Sequence, residues 1–226
     1  MNSFTSKYFK KIPVGLILLL LLFLALIYII SWLAHEVVGE KEAWIDQSVF
    51  EYLRLHVISP GLTSVMKSVT FFASAAFLSI AYVVVFIVLY FEKLYRRMLE
   101  VFVIGLGGFL IIYFMKIIFQ RARPSDPLLN PLLNYSFPSG HATSGFIFYG
   151  LLGFLLWKTT MNQNLKILIG IALIIFALLI GFSRIYLRMH YTSDVVAGFC
   201  VGAAWMILSA WVLEKLKKQS RQELNS

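Results

Sequence analysis

Apolar residues fall in long blocks along the chain, and the polar stretches between them are short. Residues 12–34 carry no charge and extend for roughly 34 Å as a helix at 1.5 Å per residue, enough to span a bilayer. The run is longer than the apolar core of a signal peptide, and no convincing small-x-small cleavage site follows. It is read as an uncleaved first span. Further apolar blocks predict spans at about 65–90, 99–119, 141–157, 167–183 and 192–213. Between the first two, Ile45, Val49, Tyr52, Leu53 and Val57 recur at helical spacing, with Asp46, Glu51 and Arg54 elsewhere. This predicts an amphipathic segment on the outer surface, or a short loop helix covering the bundle. The polar, proline-rich stretch 120–140 cannot continue a helix. Small residues at 105–108 (GLGG) and the Gly198-x-x-x-Gly202 spacing read as close helix packing. The whole pattern predicts an all-α, polytopic membrane protein: one domain of six transmembrane helices with an extracytoplasmic amphipathic segment.

Composition agrees with the pattern. The 226 residues are 60% hydrophobic and only 14% charged, against about half and a quarter in soluble domains. The net charge of +9 would raise nucleic acid as a partner in a soluble protein, but no soluble reading module accompanies it. The basic residues fit membrane topology better. Lys7, Lys10 and Lys11, then Lys93, Arg96 and Arg97, Lys158 and Lys166, and the tail residues Lys215, Lys217, Lys218 and Arg221 alternate with the spans. They place both termini in the cytoplasm, with 120–140 and 184–190 facing outward. Cys200 is the sole cysteine, so no internal disulfide is possible; it lies in an apolar run and reads as packing.

The outward residues hold the chemistry. The stretch 183–194, SRIYLRMHYTSD, carries two arginines, a histidine and an aspartate at the membrane surface, where charge is expensive and marks a functional site. If the last helix starts near His190, Asp194 lies one turn along the same face and fixes its tautomer. The segments KIIFQRARP (116–124) and PSGH (138–141) lie at outward helix ends too. Together the three supply the cations Lys116, Arg123 and Arg184, and a helix start at Ser139 and Gly140 whose N–H groups face an anion. Such a set describes a phosphate pocket. Two histidines and one aspartate lack a closed ligand set, and the cations would repel a metal, so neither metal nor cofactor is expected. Two histidines in a phosphate pocket imply reaction: a neutral imidazole attacks phosphorus and a protonated one protonates the departing alkoxide. The Asp194 partner marks His190 as the nucleophile and leaves His141 as the acid.

The pattern K-x6-RP, PSGH and SR-x5-H-x3-D resembles the type 2 phosphatidic acid phosphatase superfamily, with every motif position present in Lys116, Arg123, Pro124, Pro138, Ser139, Gly140, His141, Ser183, Arg184, His190 and Asp194. The motifs cover about 116–194, and the six-span frame extends the likeness to the whole chain. The resemblance implies metal-independent dephosphorylation through a phosphohistidine: His190 as nucleophile, Asp194 as its partner, His141 as acid, and Lys116, Arg123, Ser139, Gly140 and Arg184 holding the phosphate. The compact form is similar to bacterial lipid phosphatases of that superfamily. It implies a plasma-membrane enzyme with its site outside, acting on a phospholipid or prenyl-lipid phosphate such as phosphatidylglycerol phosphate, undecaprenyl diphosphate or phosphatidic acid. Two other readings are a vanadate-dependent haloperoxidase-like oxidant, against which the six spans count, and a non-enzymatic anion carrier, against which the clustering of charge at one end counts. Arg121 and Arg188 match no motif position and are read as headgroup or solvent contacts. Tyr113, Tyr135, Tyr186 and Tyr191 are read as an interfacial belt.

Overall fold

A computed structural model describes residues 14–39 and 44–223. The N-terminal lysines, Ile12 and Lys41 lie outside them. The described residues form eight helices: α1 (Val14–Gly39), α2 (Trp44–His56), α3 (Pro60–Phe71), α4 (Ala75–Phe91), α5 (Tyr95–Phe119), α6 (Gly140–Trp157), α7 (Gln163–Tyr186) and α8 (Thr192–Glu223). No strand occurs among the described residues. By length and composition α1, α5, α7 and α8 can each cross a membrane, and α3 with α4 forms a bent fifth candidate. The outward faces of α1, α4, α5 and α7 are exposed Leu, Ile, Val and Phe, a surface suited to hydrocarbon.

The expected second span is broken. α3 and α4 meet at 43° across residues 72–74. Ser74 explains the restart: its hydroxyl accepts from Phe77 N at 3.2 Å as an N-cap. The Tyr149 hydroxyl donates to the Phe72 carbonyl at 2.9 Å, satisfying a group the break would leave unpaired in hydrocarbon.

α6 is the hub. Its Ile147 and Leu151 join Leu89 of α4 and Val101 and Ile104 of α5 in one cluster. Phe148 and Tyr149 join Leu78 of α4 and Ala177 and Ile180 of α7 in another. Glycines allow the close approaches. A Cβ on Gly107 would stand 2.2 Å from the Trp205 ring, and one on Gly108 2.5 Å from Ile147 Cδ1, so GLGG is a packing surface. Trp205, so placed, donates its indole N–H to Ile104 O at 2.8 Å.

α2 lies against the end of the bundle where α6 and α8 begin. Val49, Phe50, Leu53 and Val57 pack on Ala142, Ile185 and Val195. The expected apolar face is only partly right: Tyr52 is 62% exposed while Asp46 is fully buried. Tyr186 and Tyr191 are also buried, not members of a belt. The Tyr186 hydroxyl accepts from Ser59 N at 3.0 Å and pins the start of α3.

Candidate active site

Four pieces of chain meet at this end of the bundle: the end of α5 with residues 120–139, the start of α6, the end of α7 with its turn, and the start of α8. Hydrogen bonds between backbones tie them. Ser139 N donates to Asp194 O at 3.0 Å, Ser136 N to Arg121 O at 2.9 Å, and Leu128 N to Leu187 O at 2.9 Å. The chain leaves α7 through Arg188, which takes a left-handed φ of 53°. Met189 N then returns to Arg184 O at 3.0 Å, which sets His190 beneath the turn.

His190 does not open α8; it precedes it by two residues. The expected four-residue contact forms all the same, because the Asp194 carboxylate folds back over the helix start. Its Oδ2 accepts from Tyr191 N at 3.0 Å and lies 3.4 Å from His190 Nδ1. The hydroxyl of Ser136 donates to the same oxygen and stands 3.2 Å from His190 Nδ1. With Nδ1 facing the carboxylate, Nε2 keeps its lone pair, and it faces Arg123 Nη1 at 3.2 Å. Burial pushes the His190 pKa down to about 3; Asp194 opposes this, and Arg123 and Arg184 add to it. The imidazole is therefore neutral at physiological pH, the state a nucleophile needs.

The expected cations converge. Arg123 is held by Asn134 O at 2.8 Å and Met189 O at 2.6 Å, with burial lowering its pKa. Arg184, nearly fully buried, donates to Thr70 Oγ1 at 2.7 Å. Lys116 donates from Nζ to the carbonyls of Tyr135 and Ser136. The cations Arg184, Arg123 and Lys116 and the His190 ring all lie close enough to act on His141, so both histidines and all three cations share one site. Ser139 is the N-cap of α6, its hydroxyl accepting from Ala142 N at 3.4 Å. Its own N–H is taken by Asp194 O. An anion is therefore left the N–H groups of Gly140 and His141, which as first-turn residues lack a carbonyl partner in their own helix.

Two cavities meet at His141. One of ≈ 570 Å³ runs between α4, α5 and α6, mostly apolar, lined by Leu78, Tyr82, Phe109, Ile112 and Lys116 among others. The other, ≈ 670 Å³, lies under α3 and residues 127–132 and reaches Lys67, Thr70, Arg184 and His141.

Three participants escaped the sequence reading. Arg121 is no headgroup contact: it is 6% exposed, its Nη1 donates to Asp194 Oδ1 at 2.6 Å and its Nη2 to Asp46 Oδ2 at 2.9 Å. Burial opposes its charge, yet Asp194 and Asp46 outweigh that and raise its pKa. Ser136, three residues before Ser139, and Asp46 on α2 are the other two. Arg188 sits over the Phe50 ring, 5.4 Å from its centroid.

The profile of the PAP2 superfamily matches residues 97–218, which include every motif residue above. Phosphatidylglycerophosphatase B of Bacillus subtilis (strain 168) is 30% identical over 162 residues, 70% of this chain and 79% of that one. Undecaprenyl-diphosphatase BcrC of the same organism is 31% identical over 111 residues, 47% of this chain and 52% of that protein. The crystal structure of a transmembrane PAP2 type phosphatidylglycerolphosphate phosphatase from Bacillus subtilis superposes with a TM-score of 0.77 at 26% identity, covering 85% of this chain and 96% of that one. Aquifex aeolicus LpxE shares the fold, with a TM-score of 0.60 at 23% identity over 76% of this chain and 98% of that one. With its apolar spans, its motifs gathered at one end of the bundle and a family match over more than half its length, the chain is a multi-pass membrane protein belonging to the PAP2 superfamily.

Proposed function

We propose that this protein is an integral membrane lipid phosphatase that removes the terminal phosphate of a lipid phosphate or diphosphate through a phosphohistidine, without a metal. The observation that carries the reading is the orientation of His190: Nδ1 toward Asp194 at 3.4 Å and Nε2 toward Arg123 at 3.2 Å. The phosphoryl group enters at the Nε2 side, and Arg123, Arg184, Lys116 and the N–H groups of Gly140 and His141 take its oxygens. These groups match the charge spread over the equatorial oxygens in the transition state. Nε2 forms the bond to phosphorus as the bond to the lipid oxygen breaks, and His141, which takes up a proton from solvent once the phosphate dianion offsets the surrounding cations, gives that proton to the leaving oxygen. Asp194 stabilises the positive phosphoimidazole through the Nδ1 proton. Water then attacks phosphorus as the P–Nε2 bond breaks, His141 takes the water proton, His190 returns to the neutral imidazole and phosphate leaves.

The topology proposed with it has six spans, α6 being the sixth, both termini in the cytoplasm and the site on the outer face of the plasma membrane. Lys93, Arg96, Arg97, Lys158 and Lys217 gather around one recess made by the α4–α5 turn and the ends of α6 and α8. That supports the topology, since such clusters favour the cytoplasmic side. The resemblance to phosphatidylglycerophosphatase B and undecaprenyl-diphosphatase BcrC makes phosphatidylglycerol phosphate and undecaprenyl diphosphate the first substrates to try, with phosphatidic acid beside them.

The test is phosphate release from these purified lipids in detergent, with and without EDTA. His190→Ala is expected to abolish turnover and the acid-labile phosphoenzyme. His141→Ala is expected to keep slow phosphoenzyme formation, and EDTA to leave the rate unchanged. Full turnover by His190→Ala refutes the mechanism.

A further inference from the structure

We infer that Asp46, on α2, is a positioning residue of this reaction: through Arg121 and Ser193 it holds the Asp194 carboxylate, and so the His190 imidazole, in the attacking orientation. The inference rests on the nucleophile assignment proposed above. Asp46 has no exposed surface. Its Oδ1 accepts from Ser193 N at 2.9 Å, and its Oδ2 accepts from Ser193 Oγ at 2.6 Å and from Arg121 Nη2 at 2.9 Å. The other arm of the guanidinium, Nη1, donates to Ser193 Oγ at 2.7 Å and to Asp194 Oδ1 at 2.6 Å. Its plane lies over Tyr191, 4.0 Å from the ring centroid.

The two arms therefore divide the labour. One arm is tied to Asp46, so Arg121 reaches Asp194 through a single N–H and engages Oδ1 only. Oδ2 is left to His190, Ser136 and Tyr191 N. Without the Asp46 carboxylate, the guanidinium would be free to turn both arms onto Asp194. A bidentate pair is the preferred geometry for arginine and carboxylate, and it would draw Oδ2 away from His190. Asp46 acts as a counterweight in this arrangement.

A purely structural role fits less well. Val49, Phe50, Leu53 and Val57 already dock α2 on Ile185 and Val195, and a buried ion pair adds little to stability beyond what an apolar contact would. It does add direction. A misplacement of the reacting group by about 1 Å costs on the order of 100-fold in rate.

The experiment uses the purified full chain in detergent. Vanadate, which takes the five-coordinate shape of the transition state and bonds the nucleophile, is compared with inorganic phosphate as an inhibitor. For Asp46→Asn, kcat is expected to fall about 10- to 100-fold with KM within about twofold. The vanadate inhibition constant is expected to rise by a similar factor and that of phosphate to stay put. In an Arg121→Gln background the same change is expected to cost less than about twofold, because partners in one network are not additive. If Asp46→Asn fails to fold, Ser193→Ala removes the hydroxyl bridge between Asp46 Oδ2 and Arg121 Nη1 with every charge retained; the direct Arg121–Asp46 contact remains, so a smaller fall in kcat is expected, with the same rise for vanadate and none for phosphate. Wild-type kcat in the variant overturns the positioning role. So does a full independent effect in the Arg121→Gln background, or an equal loss of phosphate and vanadate affinity. Active His190→Ala, or a wild-type enzyme indifferent to vanadate, instead brings down the nucleophile assignment, and the inference falls with it.

Discussion

Gly198 is where the helix packing and the chemistry touch. A Cβ there would stand 2.9 Å from the Ser139 carbonyl oxygen, 3.0 Å from Thr143 Oγ1 and 3.1 Å from Ala142 Cβ. Ordinary contacts begin near 3.5 Å, so α8 and the start of α6 must part by roughly 0.5 Å. The nearest obstacle is backbone and cannot swing aside. Overpacking of this kind costs about 1–3 kcal/mol. The wedge also lies beside the 3.0 Å bond from Ser139 N to Asp194 O, which joins the start of α6 to the partner of the proposed nucleophile. Gly198→Ala is therefore expected to lower kcat about 10- to 100-fold and to lower the Tm in detergent. Gly202→Ala, one turn deeper, is the control. Its nearest neighbours are Phe146 Cδ1 at 3.2 Å and Phe146 Cβ and Thr143 O at 3.3 Å, so it should lose some stability and less than about fivefold in kcat. Gly153→Ala, with open space around it, should be neutral or gain up to about 1 kcal/mol from helix propensity. The assay is steady-state phosphate release with Tm on the same detergent preparations. Equal kcat for Gly198→Ala and Gly202→Ala would refute the coupling of this contact to the site.

Two further outcomes are expected. The His190 pKa lies near 3 in the folded chain, with burial the main cause, against about 6.5 unfolded; between those values the unfolded chain takes up a proton the native chain does not. Stability is thus complete above about pH 6.5 and falls as pH falls, by about 2 kcal/mol at pH 5, and wild type should lose more Tm between pH 7 and pH 5 than His190→Gln; parallel curves refute this. Ser79, on the wall of the apolar cavity, should matter to the lipid chain alone: Ser79→Trp is expected to raise KM several-fold for a long-chain lipid phosphate and leave a short soluble phosphate ester unchanged, and equal effects on both would remove that cavity from the substrate path.

The convergence of 116–124, 138–141 and 183–194 was legible because each segment abuts an apolar block and topology puts the three at one end. The close approach at 105–108 was legible from glycine spacing. Other features were not. Ser74 restarts a helix inside a run of apolar and small residues, and the hydropathy pattern scarcely dips there. Asp46 looks like the polar side of a surface helix, because its partners lie 75 and 147 residues away in sequence. Arg121 holds no motif position, because a motif marks groups that meet substrate and is silent on those behind them. Tyr186 and Tyr191 share the residue type of an interfacial belt but not its exposure. Their burial follows from α2 and α3 folding over the end of the bundle, a tertiary event with no local signature.

The placement of His141 gives the site a direction. It lines the apolar cavity between α4, α5 and α6 and also the one under α3 that reaches Arg184 and Lys67. A general acid must stand on the leaving-group side of phosphorus, opposite the nucleophile. In the proposed mechanism His190, nearly fully buried, attacks from the side opposite His141, so the breaking bond faces the apolar cavity that His141 lines. The same proposal gives the second cavity to the headgroup, the attacking water and the departing phosphate. A lipid alcohol and a phosphate dianion partition into different solvents, and a histidine at the junction protonates the first while the cations retain the second. On this view the 43° bend at residues 72–74 is part of the site, since Ala73 and Ala75 line one cavity and Thr70, Phe71 and Ser74 the other. In that proposed scheme the bend keeps the apolar path and the polar path apart, so that the two products leave by different routes.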